Sequence, residues 1–309
     1  MVTKNRAADG LVGRAAKLAR YFDLDRIINR ASSPEDIIKY YRKSALGYSL
    51  FHSRQGSIHM ALNPDGVFDE GGYYRAPKLV WEELSRDGDP RRVIELGCGN
   101  GFNLDLVASE SPETTFTGID LVSRHVNESR RRLAGRSNAA AIQGDFQTLD
   151  VPEGYFTGAY SIESFCHAGD PAQALREIAR VLEPGSKFVV VDAWRRSSAA
   201  VPVDTERALK LTEKSMSVSN ALAQNEWIAL AKASGFRRAE VKPLSKEVLP
   251  NLERFEHMAE RFMSYPRTAR LMGRYLGLRI LENVIAGYLM AESVRDGFHT
   301  YDMITLTRR

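Results

Sequence analysis

The chain has only two cysteines in 309 residues, Cys98 and Cys166. Neither their number nor their spacing suits a disulfide framework or a zinc site, and a reducing compartment is expected. No apolar run approaches the ~18 residues of a spanning helix, and no apolar core with a small-residue cleavage site stands near the start. No membrane span and a cytoplasmic location are therefore expected. A strong charge of one sign is also missing: 43 Lys+Arg stand against 39 Asp+Glu, a net charge of +4. The densest basic groups, Arg130-Arg131-Arg132 and Arg195-Arg196, are short and carry no interleaved aromatics, which argues against a nucleic-acid partner. His52, His59, His125, His257 and His299 show no H-x-x-x-H or H-x-x-E-H spacing, so no protein-bound metal is expected. There is no internal repeat and no low-complexity tract. A composition that is 43% hydrophobic suits one domain of ordinary size with a sizeable appendage.

Helical apolar spacing over residues 10–90, as in Leu11, Ala15, Leu18 and Tyr21-Phe22, predicts a helical leader with turns at Ser32-Ser33-Pro34 and Asn63-Pro64-Asp65-Gly66. From 92 to 194 short apolar strands alternate with helices. The strands are expected at 93–96, 116–119, 140–143, 159–162 and 188–192, and the helices at 101–109, 122–134 and 171–182. Asp170-Pro171 reads as a helix start and Glu183-Pro184-Gly185 as a stop. Such alternation argues for a parallel, doubly wound sheet with its ligand crevice at the carboxyl ends of the strands. A helical stretch at 203–234, a strand at 239–243, a helical region at 246–296 and a closing strand at 301–307 complete the pattern.

The chemistry concentrates after the first strand. Val93-Ile94-Glu95-Leu96 runs into Gly97-Cys98-Gly99-Asn100-Gly101, and Asp120 follows nineteen residues later. A Gly-rich turn lets backbone approach a nucleotide closely, and a carboxylate about 20 residues on is placed to accept hydrogen bonds from ribose hydroxyls. A dinucleotide fingerprint would need a third glycine at position 102, which is Phe102, and an acid at Glu95 would repel a pyrophosphate. S-adenosylmethionine (SAM) has no phosphate and carries a sulfonium and an ammonium, so a nearby carboxylate suits it. Gly144-Asp145-Phe146, ending the third strand, adds a carboxylate for an adenine amino group; its other reading is a simple turn cap. The candidate cofactor-binding residues are Glu95, Gly97, Gly99, Gly101, Asp120, Leu121, Asp145, Phe146 and Ile162.

Residues 90–195 resemble the class I SAM-dependent methyltransferases. Within them, Tyr160-Ser161-Ile162-Glu163-Ser164-Phe165-Cys166-His167-Ala168 with Arg176 through Gly185 is similar to the sterol C24-methyltransferase group, which methylates an isoprenoid double bond. The stretch also resembles enzymes that C-methylate prenyl diphosphates and tocopherol-type phenols, and O-methyltransferases of mycobacterial waxy lipids. Neighbouring families share a Glu at the position of Glu163. Tyr40-Tyr41 through His59 resembles the aromatic region that closes over SAM in the sterol and cyclopropane-forming enzymes, with Arg42 where those often have Asp. The resemblance implies a Rossmann-like α/β fold with a seven-stranded doubly wound sheet. Residues 1–88 would form a helical N-terminal cap, 89–245 the SAM-binding core, 246–297 a helical cap insertion and 298–309 the closing strand.

An alkene acceptor attacks an electrophilic methyl directly, so the protein must align the two, exclude water, stabilise a carbocation and take a proton. Glu163 is the candidate counter-charge and base, with His167 as its orienting partner or as an alternative base. Tyr41, Tyr48, Phe51, His59, Tyr73, Tyr74 and Phe165 are candidates for the acceptor pocket, where each aromatic face attracts a cation by about 0.5–2 kcal/mol. The preferred reading is C-methylation of an isoprenoid-type metabolite. The alternatives are O- or ring C-methylation of a phenol or quinol, and a non-catalytic SAM-binding scaffold. Mg²⁺ enters only with a diphosphate acceptor, for which Arg267, Arg270, Arg274 and Arg279 are candidate contacts. The long apolar helices suit either a lid or a homo-oligomer interface.

Overall fold

The computed structural model describes residues 10–29, 52–218, 221–265 and 278–309, with 278–280 as backbone only. Its centre is a seven-stranded sheet in the order β3-β2-β1-β4-β5-β7-β6. The strands are β1 (Arg92–Leu96), β2 (Thr115–Asp120), β3 (Ala139–Gln143), β4 (Phe156–Ile162), β5 (Leu182–Arg195), β6 (Phe236–Pro243) and β7 (His299–Arg308). β1 to β5 pair in parallel, while β7 runs antiparallel between β5 and β6. Strand order reverses at β1, between β2 and β4, so the crevice predicted for a doubly wound sheet opens beyond the carboxyl ends of β1 and β4.

Alternation along the central strands explains how both faces are filled. Val189, Val191, Val93, Tyr160, Ile162, Tyr301 and Met303 join one buried cluster, against α3 (Arg75–Leu84), α4 (Phe102–Glu110) and α9 (Ser245–Met263). Phe188, Val190, Ile94, Leu96, Ile304 and Leu306 join the other, against α6 (Pro171–Val181) and α8 (Gln224–Ala233). The start of α6 is built as the sequence predicts: Asp170 accepts the Gln173 N–H at 2.9 Å, and Pro171 fills the first helical position. A third cluster lies off the sheet. In it α1 (Leu11–Leu18) and α2 (Leu24–Ile28) pack on α7 (Val203–Ser215), α9 and α10 (Leu278–Arg295). Helix α5 (Ser123–Arg132) follows β2.

Three elements differ from the sequence expectation. The stretch 203–234 is two helices, α7 and α8, because Ser217 takes a left-handed φ of 58° just after α7 ends. β5 continues past 192 because its antiparallel ladder with β7 carries on to the pair Arg195 and His299. Within the expected helical leader, residues 53–69 form no helix or strand. Their polar side chains serve local turns instead: the Ser53 hydroxyl accepts the N–H groups of Gln55 and Ser57.

Candidate active site

The loop after β1 is shaped by its glycines. Gly97, Gly99 and Gly101 have φ of 68°, 53° and 81°, a region that costs other residues about 1–2 kcal/mol each. Contact reinforces the requirement at Gly97, where a Cβ would lie 2.8 Å from Ser164 Oγ. The Ser164 hydroxyl in turn donates to the Leu96 carbonyl, so the ends of β1 and β4 are clamped together beside the crevice. Asp120 ends β2 and holds the loop from the other side: its Oδ2 accepts the Gly99 N–H at 2.9 Å and its Oδ1 the Val122 N–H at 2.8 Å.

These loops wall a cleft enclosing about 990 Å³, its open mouth included. Gly97, Asp120, Leu121, Asp145, Phe146 and Ile162 line it, together with Glu163, His167 and His59. Asp145 accepts the Gln147 N–H at 2.9 Å, so the turn-capping role is present while the carboxylate also reaches the cleft. Gly97 on the cleft wall and the carboxyl groups beyond β2 and β3 fit an adenosine-bearing cofactor: a carboxyl oxygen has more than one lone pair, leaving capacity for ribose and adenine donors.

Glu95 is placed differently from the sequence expectation. Its side chain is buried behind the cleft wall, 1% exposed, and accepts from Tyr160 Oη at 3.0 Å and Asn103 Nδ2 at 3.3 Å. Burial outweighs both bonds and pushes its carboxyl up to about 8. At pH 7 the group therefore keeps its proton, whereas the sequence reading treated it as an anion.

Glu163 stands at the end of β4 with φ of 48°, a strained conformation for a residue with a Cβ. Its N–H donates to the Val191 carbonyl at 2.8 Å. Its Oε1 accepts the Met60 N–H at 2.7 Å and the Tyr301 O–H at 2.6 Å, while Oε2 accepts no hydrogen bond among the described residues. Burial, with a smaller push from the Asp192 charge, raises its carboxyl to about 7 against the pull of those two donors. His167 is not its partner: the His167 Nδ1–H donates to the Ser217 carbonyl at 3.0 Å, and burial lowers the ring's pKa.

His59 belongs to the strap 52–63, which lies across the glycine loop. Asn100 Nδ2 donates to the Gly56 carbonyl at 2.6 Å, and the Ile58 side chain sits where a Cβ on Gly99 would project. The His59 Nδ1–H donates to the Met60 carbonyl at 2.9 Å, and burial pushes the ring down to about 4. It is thus a neutral wall residue at physiological pH.

Two aromatics expected in the acceptor pocket are core residues instead. Tyr73 is fully buried with its hydroxyl on the His52 carbonyl, and Phe165 packs between Phe188 and Trp227. Tyr74 lies half-buried against Phe102. Tyr41, Tyr48, Phe51, Arg267, Arg270 and Arg274 fall outside the described residues, as does the Arg279 side chain. The described His, Cys, Asp and Glu residues include no cluster able to hold a metal ion, and no described helix is long and apolar enough to cross a membrane. Tyr301 and Met60, the groups that hold Glu163, carry no motif and were missed by sequence reasoning.

A cleft at the carboxyl ends of the strands, on a doubly wound seven-stranded sheet with Glu163 at the end of β4, defines a Rossmann-like α/β protein with a small-molecule site. The family model described as a methyltransferase domain matches residues 94–190. An S-adenosyl-L-methionine-dependent Diels-Alderase of Talaromyces variabilis, iccD, is 30% identical over 70% of this chain and 78% of its own length. An O-methyltransferase of Penicillium expansum, cnsE, is 26% identical over 72% of this chain and 80% of its own. The crystal structure of the [4+2]-cyclase SpnF has the same fold: a TM-score of 0.72 at 19% identity, covering 90% of this chain and 97% of that one. The chain belongs to the SAM-dependent methyltransferase family.

Proposed function

We propose that the protein transfers methyl to a lipophilic small molecule of secondary metabolism, preferably to an alkene carbon of an isoprenoid-type metabolite. The observation that carries this reading is the Glu163 carboxyl on the cleft wall, with one oxygen held and the other accepting no hydrogen bond among the described residues. SAM, when bound, supplies an electrophilic methyl. The chain's own work is to bind, align and take up a proton. Gly97, Gly99 and Gly101 shape the loop after β1, with Gly97 on the cleft wall, and Asp120 and Asp145 receive the cofactor's hydroxyl and amino donors. Glu163 Oε2 opposes the positive charge that develops on an alkene acceptor and then accepts the proton the neighbouring carbon sheds.

Incubating the protein with methyl-deuterated SAM and a lipophilic extract tests this by mass spectrometry and NMR. The expected product carries one CD₃ group in place of a hydrogen, bonded to carbon. A CD₃ on oxygen would support instead a phenol or quinol acceptor, a reading favoured by the relative named an O-methyltransferase. A product isomeric with its substrate, with the label retained on SAM, would overturn methyl transfer. It would support a catalysed rearrangement in line with the relative named a Diels-Alderase, whereas SAM binding with no product of any kind would support the non-catalytic scaffold. The cofactor assignment has its own check: Asp120→Ala removes a carboxylate that orders the loop and receives the ribose, and is expected to weaken SAM binding about 10–100-fold by calorimetry. Unchanged affinity would sink it.

A further inference from the structure

Tyr301 sits on β7 opposite Ala193 of β5, with its side chain among the residues buried between the sheet and helix α9. We infer that Tyr301 is a positioning residue for Glu163: its O–H and the Met60 N–H together occupy Oε1, so that Oε2 is the oxygen presented to the cleft. The inference rests on the reading of Glu163 as proton acceptor and deepens it.

Three observations support this role. Both donors fall on one oxygen, at 2.6 Å from Tyr301 and 2.7 Å from Met60, which fixes the rotation of the carboxyl group. The backbone beneath is in the left-handed region, a strained conformation held in place by the N–H bond to Val191 and by these two anchors. Tyr301 is 4% exposed, and burial beside Glu163 pushes its phenol well above its usual range. It therefore stays a donor wherever Glu163 titrates. A donated hydrogen bond favours the ionised carboxylate, so the tyrosine helps hold the base in its working form. The other titratable groups around Glu163 are Asp192 on β5, Cys166 in the turn after β4 and Tyr73 before α3, with His59 and His167 on the same cleft wall. Among the described residues none of these donates to Glu163.

The test is a ¹³C NMR titration of protein carrying ¹³Cδ-glutamate, in which the resonance absent from Glu163→Gln belongs to Glu163. In Tyr301→Phe the midpoint is expected to rise by about one to two pH units, and the acid limb of the kcat profile to move with it while the KM for SAM stays unchanged. Fluorotyrosine at position 301 keeps ring and hydroxyl but donates more strongly, so its midpoint is expected to fall. This variant also carries the test if Tyr301→Phe does not fold. Midpoints unmoved in both proteins, or a Tyr301→Phe rate lower at every pH with an unmoved acid limb, would overturn the inference. Shifted midpoints in a protein that turns over no acceptor would uphold the anchoring of Glu163 and overturn its role as base.

Discussion

Glu163→Gln is expected to lower kcat by about 10²–10⁴-fold, the usual contribution of a positioned acid or base, while the affinity for SAM stays near wild type. Glutamine keeps the volume and retains a carbonyl oxygen that accepts from Met60 and Tyr301. The fold at the end of β4, including the left-handed residue, is therefore maintained. What the amide removes is the negative charge and the proton-accepting lone pair at Oε2. The wild-type pH profile should report the same group. A base acts when ionised, so kcat is expected to rise through about pH 7, where burial has placed the Glu163 carboxyl, and then level off. The neutral His59 and His167 titrate lower because burial depresses both, so neither reproduces a limb near 7. Stopped turnover assays across pH, with calorimetry for SAM, separate the effects. A variant with full kcat, or one that loses SAM binding in step with rate, would remove Glu163 from the proton-transfer role.

That residue was legible in the sequence because it ends an apolar strand and belongs to a recognisable segment. Gly97, Gly99, Gly101 and Asp120 were legible for a similar reason: strand, tight turn and carboxylate lie within one short unit whose spacing is set by local geometry. The groups that hold Glu163 were not. Met60 and Tyr301 lie 103 and 138 residues away in sequence. One acts through its backbone N–H, which any residue but proline would offer, and the other sits in a strand whose alternation reads as plain core. Two of the aromatic candidates, Tyr73 and Phe165, were misplaced for the converse reason. Composition identifies Tyr73 and Phe165 as large rings, but only packing decides whether such a ring faces a cleft or fills a core, and both fill the core. The break between α7 and α8 was equally silent, since it turns on Ser217 adopting a backbone conformation that serine rarely takes.

Glu95 gives the second large effect, and it falls on stability. In the fold its carboxyl is raised from 4.5 to about 8, with burial the largest cause; in the unfolded chain it returns to the ordinary value. Between these limits the native state holds a proton that the unfolded state has lost. Stability from this group is therefore complete below about pH 4.5 and is lost as pH rises through about 8. Glu163, raised to about 7, and Asp192, raised to about 6, act with the same sign over narrower windows. His52 and His59, pushed down to about 3 and 4, and His167, also lowered, act with the opposite sign below about pH 6.5. Wild-type denaturant midpoints should accordingly fall chiefly between about pH 6.5 and 8. Glu95→Gln replaces the carboxyl by a group of the same shape that never ionises. Its amide oxygen can accept from Tyr160, and its amide hydrogens can reach Asn103 Oδ1 once the Asn103 amide turns. The variant is expected to keep a flatter profile and to exceed wild type at pH 8 by about 3 kcal/mol. Urea unfolding of both proteins from about pH 5 to 8 decides the matter. Parallel curves would mean that Glu95 is ionised in the native state, restoring it as the anion beside the glycine loop; a converging pair at pH 5 that separates by pH 8 would establish a carboxyl kept neutral by burial.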